Sequence, residues 1–134
     1  MSESNSGSDV VSMKLTAEKR NEKFLLNGSK MWITNGPDAD VLIVYAKTRK
    51  ELQSKGITAF ILEKGMKGFS LGKKEEKMGI RASSTCEVIC DNVEVSEENV
   101  IGEIGRGYKI AIETLNEGRI GIAAQMLGLA QGAF

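Results

Sequence analysis

The residue types best suited to chemistry in this chain include its only tryptophan, which stands two positions before a hydroxyl in Trp32-Ile33-Thr34. An aromatic face beside a hydrogen-bonding hydroxyl suits stacking on a planar heterocycle. A tryptophan taken alone is more often a core residue. The tripeptide alone is compatible with both interpretations.

Two further stretches have the composition of phosphate-binding loops. Residues 2–9 are rich in hydroxyl groups and contain Gly7, so their backbone N–H groups and serines could cradle a phosphate. A flexible tail is the alternative for this stretch. Gly102–Gly107 is also rich in glycine, but it lacks the G-x-G-x-x-G spacing, and a turn that leads into a helix explains it better.

The composition excludes several classes of site. The 134 residues contain no histidine, which removes Ser-His and Cys-His nucleophile pairs, His-ligated zinc and general-base catalysis by imidazole. The chain has 18 Lys and Arg against 18 Asp and Glu, and this zero balance argues against nucleic-acid and membrane-surface partners. Cys86 and Cys90 are predicted to be small buried side chains in a reducing compartment, and no metal site is expected.

Short apolar and alternating segments recur between residues 10 and 95 and predict a mainly β domain. About seven such segments are expected to form an antiparallel barrel or sandwich, and they cover 10–19, 23–26, 29–34, 41–48, 57–62, 69–73 and 85–95. Asn27-Gly28 is a dipeptide favoured in two-residue turns, so a hairpin is expected there.

The pattern becomes helical from Gly107 to Phe134, where apolar residues recur at spacings of three and four. This helix is apolar nearly all round, which predicts that it packs inside a larger structure or an oligomer. Because no stop signal follows it, we expect the chain to be a segment of a longer protein. Glu117 and Arg119 lie two residues apart and cannot pair, so Arg119 is expected to meet a carboxylate in the missing part or a ligand.

Five sequence blocks, in their order and spacing, resemble the acyl-CoA dehydrogenase family: Ser2-Glu3-x-x-x-Gly7-Ser8-Asp9, Asn27-Gly28-x-Lys30-x-Trp32-Ile33-Thr34-Asn35-Gly36, Gly56-Ile57-Thr58-Ala59-Phe60, Lys77-Met78-Gly79-Ile80-Arg81-Ala82-Ser83 and Glu98-Asn99-Val100-Ile101-Gly102. The resemblance covers the whole chain. It implies that residues 1–104 are the middle β-domain of the family and that residues 105–134 are the first helix of its C-terminal helical domain. The complete enzyme would contain helical, β and helical domains, bind FAD and form a homotetramer.

The resemblance also implies cofactor and substrate roles. The first flavin segment falls on Met1, Ser2, Glu3, Gly7 and Ser8. Ser2 would reach the pyrimidine end of the flavin, and Ser8 would reach cofactor phosphate and the CoA part of the substrate. The second flavin segment is Trp32-Ile33-Thr34, in which Trp32 lies against one ring face and Thr34 bonds near the flavin N5. The substrate-lining positions of the helix match Tyr108, Asn116, Glu117, Gly118 and Arg119. Ser4 departs from the family, which usually has proline there.

No residue of the chain is assigned as the catalytic base. In family members whose base lies on this helix, the glutamate occupies the position of Gly118, and a shift of one residue turns Glu117 away from that direction by about 100°. Gly118 instead matches members whose base lies downstream. The 134 residues alone are therefore expected to be inactive or nearly so.

The blocks resemble two subfamilies. Residues 36–48 resemble the isovaleryl type, whereas 81–86 and 116–131 resemble the short/branched-chain type, which is favoured because Gly118 bears on the mechanism. The implied reaction oxidises a short or branched-chain acyl-CoA to the 2-enoyl-CoA with FAD, and passes electrons to an electron-transferring flavoprotein in the mitochondrial matrix or a bacterial cytoplasm. A stand-alone β-domain for binding or assembly and an acyl-CoA oxidase are the alternatives.

Overall fold

The computed structural model describes residues Met1 to Phe134 and contains a mixed seven-stranded sheet followed by one long helix. The elements are β1 (Thr16–Arg20), β2 (Lys23–Thr34), β3 (Val41–Lys47), β4 (Ile57–Glu63), β5 (Phe69–Lys74), β6 (Thr85–Ser96), β7 (Val100–Ile101) and α1 (Gly107–Ala133). Short 3-10 helices span Val10–Ser12, Lys50–Gly56 and Glu97–Asn99. The prediction of a mainly β chain with about seven strands and one C-terminal helix is confirmed.

The strands are arranged in the order β5-β6-β2-β1-β3-β4-β7. All neighbouring pairs are antiparallel except β1 and β3, which pair in parallel at Thr16 and Lys47. The sheet is therefore mixed rather than wholly antiparallel. The parallel pair arises because the chain leaves β2 and crosses to the far side of β1 before β3 begins.

The sheet is open but strongly curled. Phe24 of β2 and Phe60 of β4 are separated by two intervening strands, which on a flat sheet would place them about 14 Å apart. Their ring centroids are only 5.1 Å apart in an edge-to-face contact. The curl closes over a core of eleven buried side chains, which are Leu15 just before β1 and ten from β1, β2, β3, β4 and β6.

The prediction of a hairpin at Asn27-Gly28 is wrong. Both residues lie inside the continuous strand β2, and the β1–β2 hairpin turns instead at Asn21-Glu22, where Asn21 has a φ of 56°. At Gly28 the pairing of β2 with β6 shifts register, and a Cβ there would lie 2.9 Å from the Cα of Leu15. The glycine thus permits a close backbone approach at a bulge, and the long pairing with β6 overrides the local turn preference.

The strand expected at 10–19 is shorter than predicted, because a 3-10 turn at Val10–Ser12 precedes β1. Strands Val41–Lys47 and Ile57–Glu63 lie close to their predicted positions and form the antiparallel pair β3–β4. Cys86 and Cys90 are both free and buried in β6, as predicted.

Helix α1 is anchored to the sheet only by its first turns. A Cβ at Gly107 would lie 2.6 Å from the carbonyl carbon of Thr58, so the helix begins in direct contact with β4. The Thr58 hydroxyl accepts a hydrogen bond from the Gly105 N–H at 2.9 Å, and Ala111 is buried. Beyond Leu115 every residue of α1 is exposed, apolar ones included. The division of the chain into residues 1–104 and 105–134 stays a prediction.

None of the helices has the length and apolar character needed to cross a bilayer.

Candidate cofactor and substrate site

The first residues of the chain form an ordered turn against the sheet. The Glu3 N–H donates to the Ser6 carbonyl at 2.8 Å, and the Ser6 N–H donates to the Glu3 carbonyl at 3.1 Å. The Ser6 hydroxyl donates to the Asp9 carbonyl at 2.6 Å. These bonds shape the hydroxyl-rich stretch, in which Gly7 and Ser8 remain exposed.

The Glu3 carboxylate anchors this turn from below. It accepts the backbone N–H of Lys14 at 2.6 Å and that of Leu15 at 3.0 Å. The Lys30 ammonium donates to it at 2.8 Å. Glu3 is 9% exposed, its carboxylate oxygens accept from protein donors, and its backbone N–H and carbonyl both bond to Ser6, so Glu3 holds the segment in place. Its predicted cofactor role stays a prediction.

A backbone hydrogen bond brings the two predicted flavin segments together. The Met31 N–H donates to the Ser2 carbonyl at 2.8 Å, which places Ser2 beside the residue that precedes Trp32. Residues far apart in sequence thus form one local surface. The sequence blocks predicted both segments, and the structure adds the contact between them.

Trp32 is an exposed ring on a strained backbone. Its side chain is 57% exposed and its φ is 62°, a left-handed conformation that is a real outlier for a bulky residue. It lies where the β2–β6 pairing shifts between Lys30 and Ile33, and such bulges re-aim a side chain. The core interpretation of Trp32 is therefore wrong for this chain: the ring is presented to solvent.

The two residues after Trp32 return to regular pairing. Ile33 pairs with Cys86 and is half-buried, whereas Thr34 pairs with Thr85 and is exposed. Just beyond, the Asn35 N–H donates to the Ser84 carbonyl at 2.9 Å, and the Ser84 hydroxyl donates to the Asp38 carboxylate. These bonds fix the strand end that carries Thr34.

Met1 and Tyr108 converge on one small apolar cluster. Both are partly buried against six buried side chains, namely Val10, Met13, Tyr45, Ile57, Ala59 and Ala111. The predicted first flavin segment and the start of α1 are therefore neighbours. Among the substrate positions predicted on α1, Tyr108 is the one that the structure brings close to the predicted flavin segments.

The remaining predicted substrate positions lie farther along α1. Asn116, Glu117, Gly118 and Arg119 are all exposed, and an added Cβ at Gly118 would meet no atom within 4 Å. The Arg119 guanidinium donates to the Asn116 side-chain oxygen at 2.8 Å, so its partner here is an amide three residues back. Their role toward a substrate stays a prediction.

Burial affects the pKa values of Lys30, Glu3 and Cys90, which lie beneath the predicted site. Burial lowers the pKa of the Lys30 ammonium, and Glu3 opposes that shift. Burial alone would raise the pKa of the Glu3 carboxyl, but the hydrogen bonds from Lys30, Lys14 and Leu15 outweigh it and hold that pKa below its ordinary value. Burial also raises the pKa of the Cys90 thiol to about 11, so this thiol is not a nucleophile near neutral pH.

The exposed groups suit a planar cofactor with a phosphate tail. The Trp32 ring offers an apolar face, Thr34 offers a hydroxyl two residues on, and an added Cβ at Gly7 would meet nothing within 4 Å. No group of three His, Cys, Asp or Glu side chains is arranged to hold a metal ion. Sequence reasoning missed the structural role of Lys30; its signal was a lone lysine between the bulge glycine and the tryptophan.

The chain is similar to known proteins along its whole length. The family described as acyl-CoA dehydrogenase, middle domain, matches residues 1–93. A relative from Dictyostelium discoideum, described as a probable short/branched chain specific acyl-CoA dehydrogenase, is 59% identical over all of this chain and 33% of its own length. The mitochondrial isovaleryl-CoA dehydrogenase of Oryza sativa subsp. japonica is 54% identical over 98% of this chain and 32% of its own.

Solved structures give the same result. Butyryl-CoA dehydrogenase from Megasphaera elsdenii superposes with a TM-score of 0.93 at 51% identity, and the match covers 97% of this chain and 34% of that one. The chain spans about a third of the length of each of these relatives. The resemblance drawn from the five sequence blocks is confirmed, and the chain belongs to the acyl-CoA dehydrogenase family, whose middle domain it carries.

Proposed function

We propose that these 134 residues form the flavin- and acyl-CoA-binding middle part of a three-domain acyl-CoA dehydrogenase. The observation that carries the proposal is the hydrogen bond from the Met31 N–H to the Ser2 carbonyl. It joins the exposed hydroxyl-rich turn to the strand that presents Trp32 and Thr34. A ring-binding face and a phosphate-binding turn on one surface are what a dinucleotide flavin requires.

When bound, FAD supplies the redox chemistry by accepting the hydride that leaves the β-carbon of the thioester. The chain's own residues orient and bind. Trp32 would pack against one face of the ring, and the Thr34 hydroxyl would donate a hydrogen bond at its edge. Ser8 would bind phosphate and the CoA end of the substrate, and Tyr108 would line the acyl side. The α-proton goes to a carboxylate outside these residues, since Glu117 is exposed on α1 and turned away from the position of Gly118.

The substrate we propose is a short or branched-chain acyl-CoA, which is converted to the 2-enoyl-CoA. Support comes from the printed names of the relatives, which are short/branched chain specific, isovaleryl-CoA and butyryl-CoA dehydrogenases. We also propose a homotetramer, an electron-transferring flavoprotein as electron acceptor, and a place in the mitochondrial matrix or a bacterial cytoplasm. The apolar residues exposed along α1 are the surface that the further helices of such an enzyme would cover.

A flavin titration tests the proposal. FAD is added to the purified full-length enzyme, and its absorption spectrum gives the dissociation constant for wild type, Thr34→Ala and the control Thr16→Ala on β1. Loss of one hydrogen bond predicts that Thr34→Ala weakens binding about three- to tenfold, while the control binds as wild type does. If the full-length protein has no affinity for flavin, the alternative hypothesis of a stand-alone β-domain for binding or assembly is favoured.

The proposal also predicts that the 134 residues alone do not turn over. Butyryl-CoA or 2-methylbutyryl-CoA added to this chain with FAD is expected to leave the flavin oxidised. Measurable flavin reduction would place a working base within the chain and contradict the assignment of the base to another segment.

A further inference from the structure

A lysine is completely buried beneath the proposed flavin surface. Lys30 is 1% exposed, and lysines are almost never buried unless they are paired. Removing an ammonium group from water is costly, and an apolar pair of similar volume is often at least as stable as a buried ion pair. Stability of the core therefore does not by itself account for a lysine at this place.

The surroundings of Lys30 are specific. Its ammonium lies 2.8 Å from a Glu3 carboxylate oxygen and 3.6 Å from the Met13 sulfur. The same carboxylate accepts the backbone N–H groups of Lys14 and Leu15. No buried side-chain polar atom is left without a partner. The pair is thus a closed network that links the first turn of the chain, the segment before β1 and strand β2.

The position of the pair matters as much as its geometry. Glu3 follows Ser2, and Lys30 precedes Met31, whose N–H bonds the Ser2 carbonyl. Trp32 lies two residues beyond Lys30, at the bulge. No other ion pair in the structure involves residues 1–9. The Glu3–Lys30 pair is therefore the one charged link between the two flavin segments.

We propose that Glu3 and Lys30 are positioning residues: their buried ion pair sets the spacing and register of the first flavin segment relative to Trp32, and so sets the affinity for flavin. The inference rests on the proposed flavin function. Both side chains would act without touching the cofactor, since Lys30 is 1% exposed and Glu3 is 9% exposed.

The test compares four variants. Lys30→Met removes the positive charge at similar length. Glu3→Gln removes the negative charge and keeps one of the two acceptor oxygens that bind the Lys14 and Leu15 N–H groups. Lys23→Met is the matched control, because Lys23 lies on β2 as Lys30 does and forms an exposed ion pair with Glu94 of β6. Val93→Ala is a second control that weakens the core outside the site.

Two readouts separate the possibilities. Flavin affinity is measured by absorbance in the full-length enzyme, and the emission and quenching of Trp32, the sole tryptophan, are measured in the 134-residue chain without flavin. We expect Lys30→Met and Glu3→Gln to weaken FAD binding at least about tenfold, which corresponds to about 1.4 kcal/mol, and to shift the Trp32 emission. Lys23→Met and a folded Val93→Ala should change neither.

A folded Lys30→Met with wild-type flavin affinity and Trp32 emission would overturn the inference. The inference also fails if Val93→Ala weakens flavin binding equally, because the effect would then reflect stability alone. If Lys30→Met does not fold, Glu3→Gln decides the question by the same criteria. If wild type binds no flavin, the proposed function fails, and the Trp32 emission still decides whether the pair positions the bulge.

Discussion

The Lys30 ammonium lies 2.8 Å from the Glu3 carboxylate although 27 residues separate the two in sequence. Through this contact the first turn of the chain is fixed to the middle of the long strand β2. On one side of the pair Ser2 accepts the Met31 N–H, and on the other Trp32 adopts its left-handed conformation. A buried charge pair thus underlies the surface that we assign to flavin.

Replacing Lys30 alone is expected to be strongly destabilising. Lys30→Met leaves the Glu3 carboxylate buried without its counter-ion, and losing one partner of a buried pair costs about 3–5 kcal/mol in the free energy of unfolding. Chemical denaturation of the 134-residue chain measures this. Lys23→Met, which breaks the exposed pair with Glu94, should leave the midpoint unchanged. Similar losses for the two variants would contradict the assignment of Lys30 as part of a buried network.

Acid should weaken the chain through Glu3. The pKa of Glu3 in the folded chain lies below the ordinary value of 4.5. At pH values between the folded and unfolded pKa, the unfolded chain therefore binds more protons than the folded chain does. The stability contributed by Glu3 is therefore fully present above the unfolded pKa and is lost as the pH falls through the folded pKa.

Denaturation curves between about pH 6 and about pH 3 test this linkage. The free energy of unfolding of wild type should fall more steeply with acid than that of Glu3→Gln, which cannot titrate at this position. Other carboxylates contribute equally to both curves, so the difference isolates Glu3. Parallel curves would show that this carboxyl has the same pKa in the folded and unfolded chains.

Trp32 should be dispensable for stability and needed for flavin. A non-glycine residue in the left-handed region costs about 1–2 kcal/mol, and the flexibility of glycine offsets part of that gain, so Trp32→Gly should raise the free energy of unfolding by at most about 1 kcal/mol. Gln53→Gly is the control, since Gln53 also has a positive φ of 48° but lies in the 3-10 segment Lys50–Gly56.

Denaturation and flavin titration together check this prediction. Only Trp32→Gly should weaken FAD binding in the full-length enzyme. If replacing Trp32 lowered the free energy of unfolding by about 3–5 kcal/mol, the loss would be typical of a core aromatic residue. That result would contradict the exposed position of Trp32.

Gly107 should be required to join α1 to the sheet. In Gly107→Ala the new methyl group would lie 2.6 Å from the Thr58 carbonyl carbon and 2.7 Å from the Ala59 nitrogen, and such overpacking costs about 1–3 kcal/mol. Gly121 lies in the same helix with open space around it, so Gly121→Ala should instead raise the free energy of unfolding of the 134-residue chain by about 1 kcal/mol. Thermal unfolding followed by far-UV circular dichroism measures the stability of both variants. Equal changes in the two would contradict the close contact of Gly107 with β4.

The sequence was sufficient to predict the β class and the position of α1, because strand and helix periodicity are local signals. The five blocks were sufficient to predict the family. The sequence failed at Asn27-Gly28, where pairing along the whole of β6 overrides a strong turn dipeptide. It also could not predict the environment of Lys30. The burial of that side chain depends on a contact with Glu3 that forms only when the first turn folds onto β2.

Arg119 marks another limit of the sequence. Spacing correctly excluded a pair with Glu117, and the observed partner is Asn116 at i−3. Whether that amide, a carboxylate or a substrate is its partner in the complete enzyme depends on residues packed against α1. Helix periodicity alone carries no information about them.

The most direct test of the account is a crystal structure of the full-length enzyme with FAD bound. We predict that the flavin ring lies against Trp32, that the Thr34 hydroxyl lies about 3 Å from an edge atom of the ring, and that the turn at residues 2–8 contacts the cofactor. A flavin bound elsewhere, with Trp32 and Thr34 both in solvent, would contradict the account.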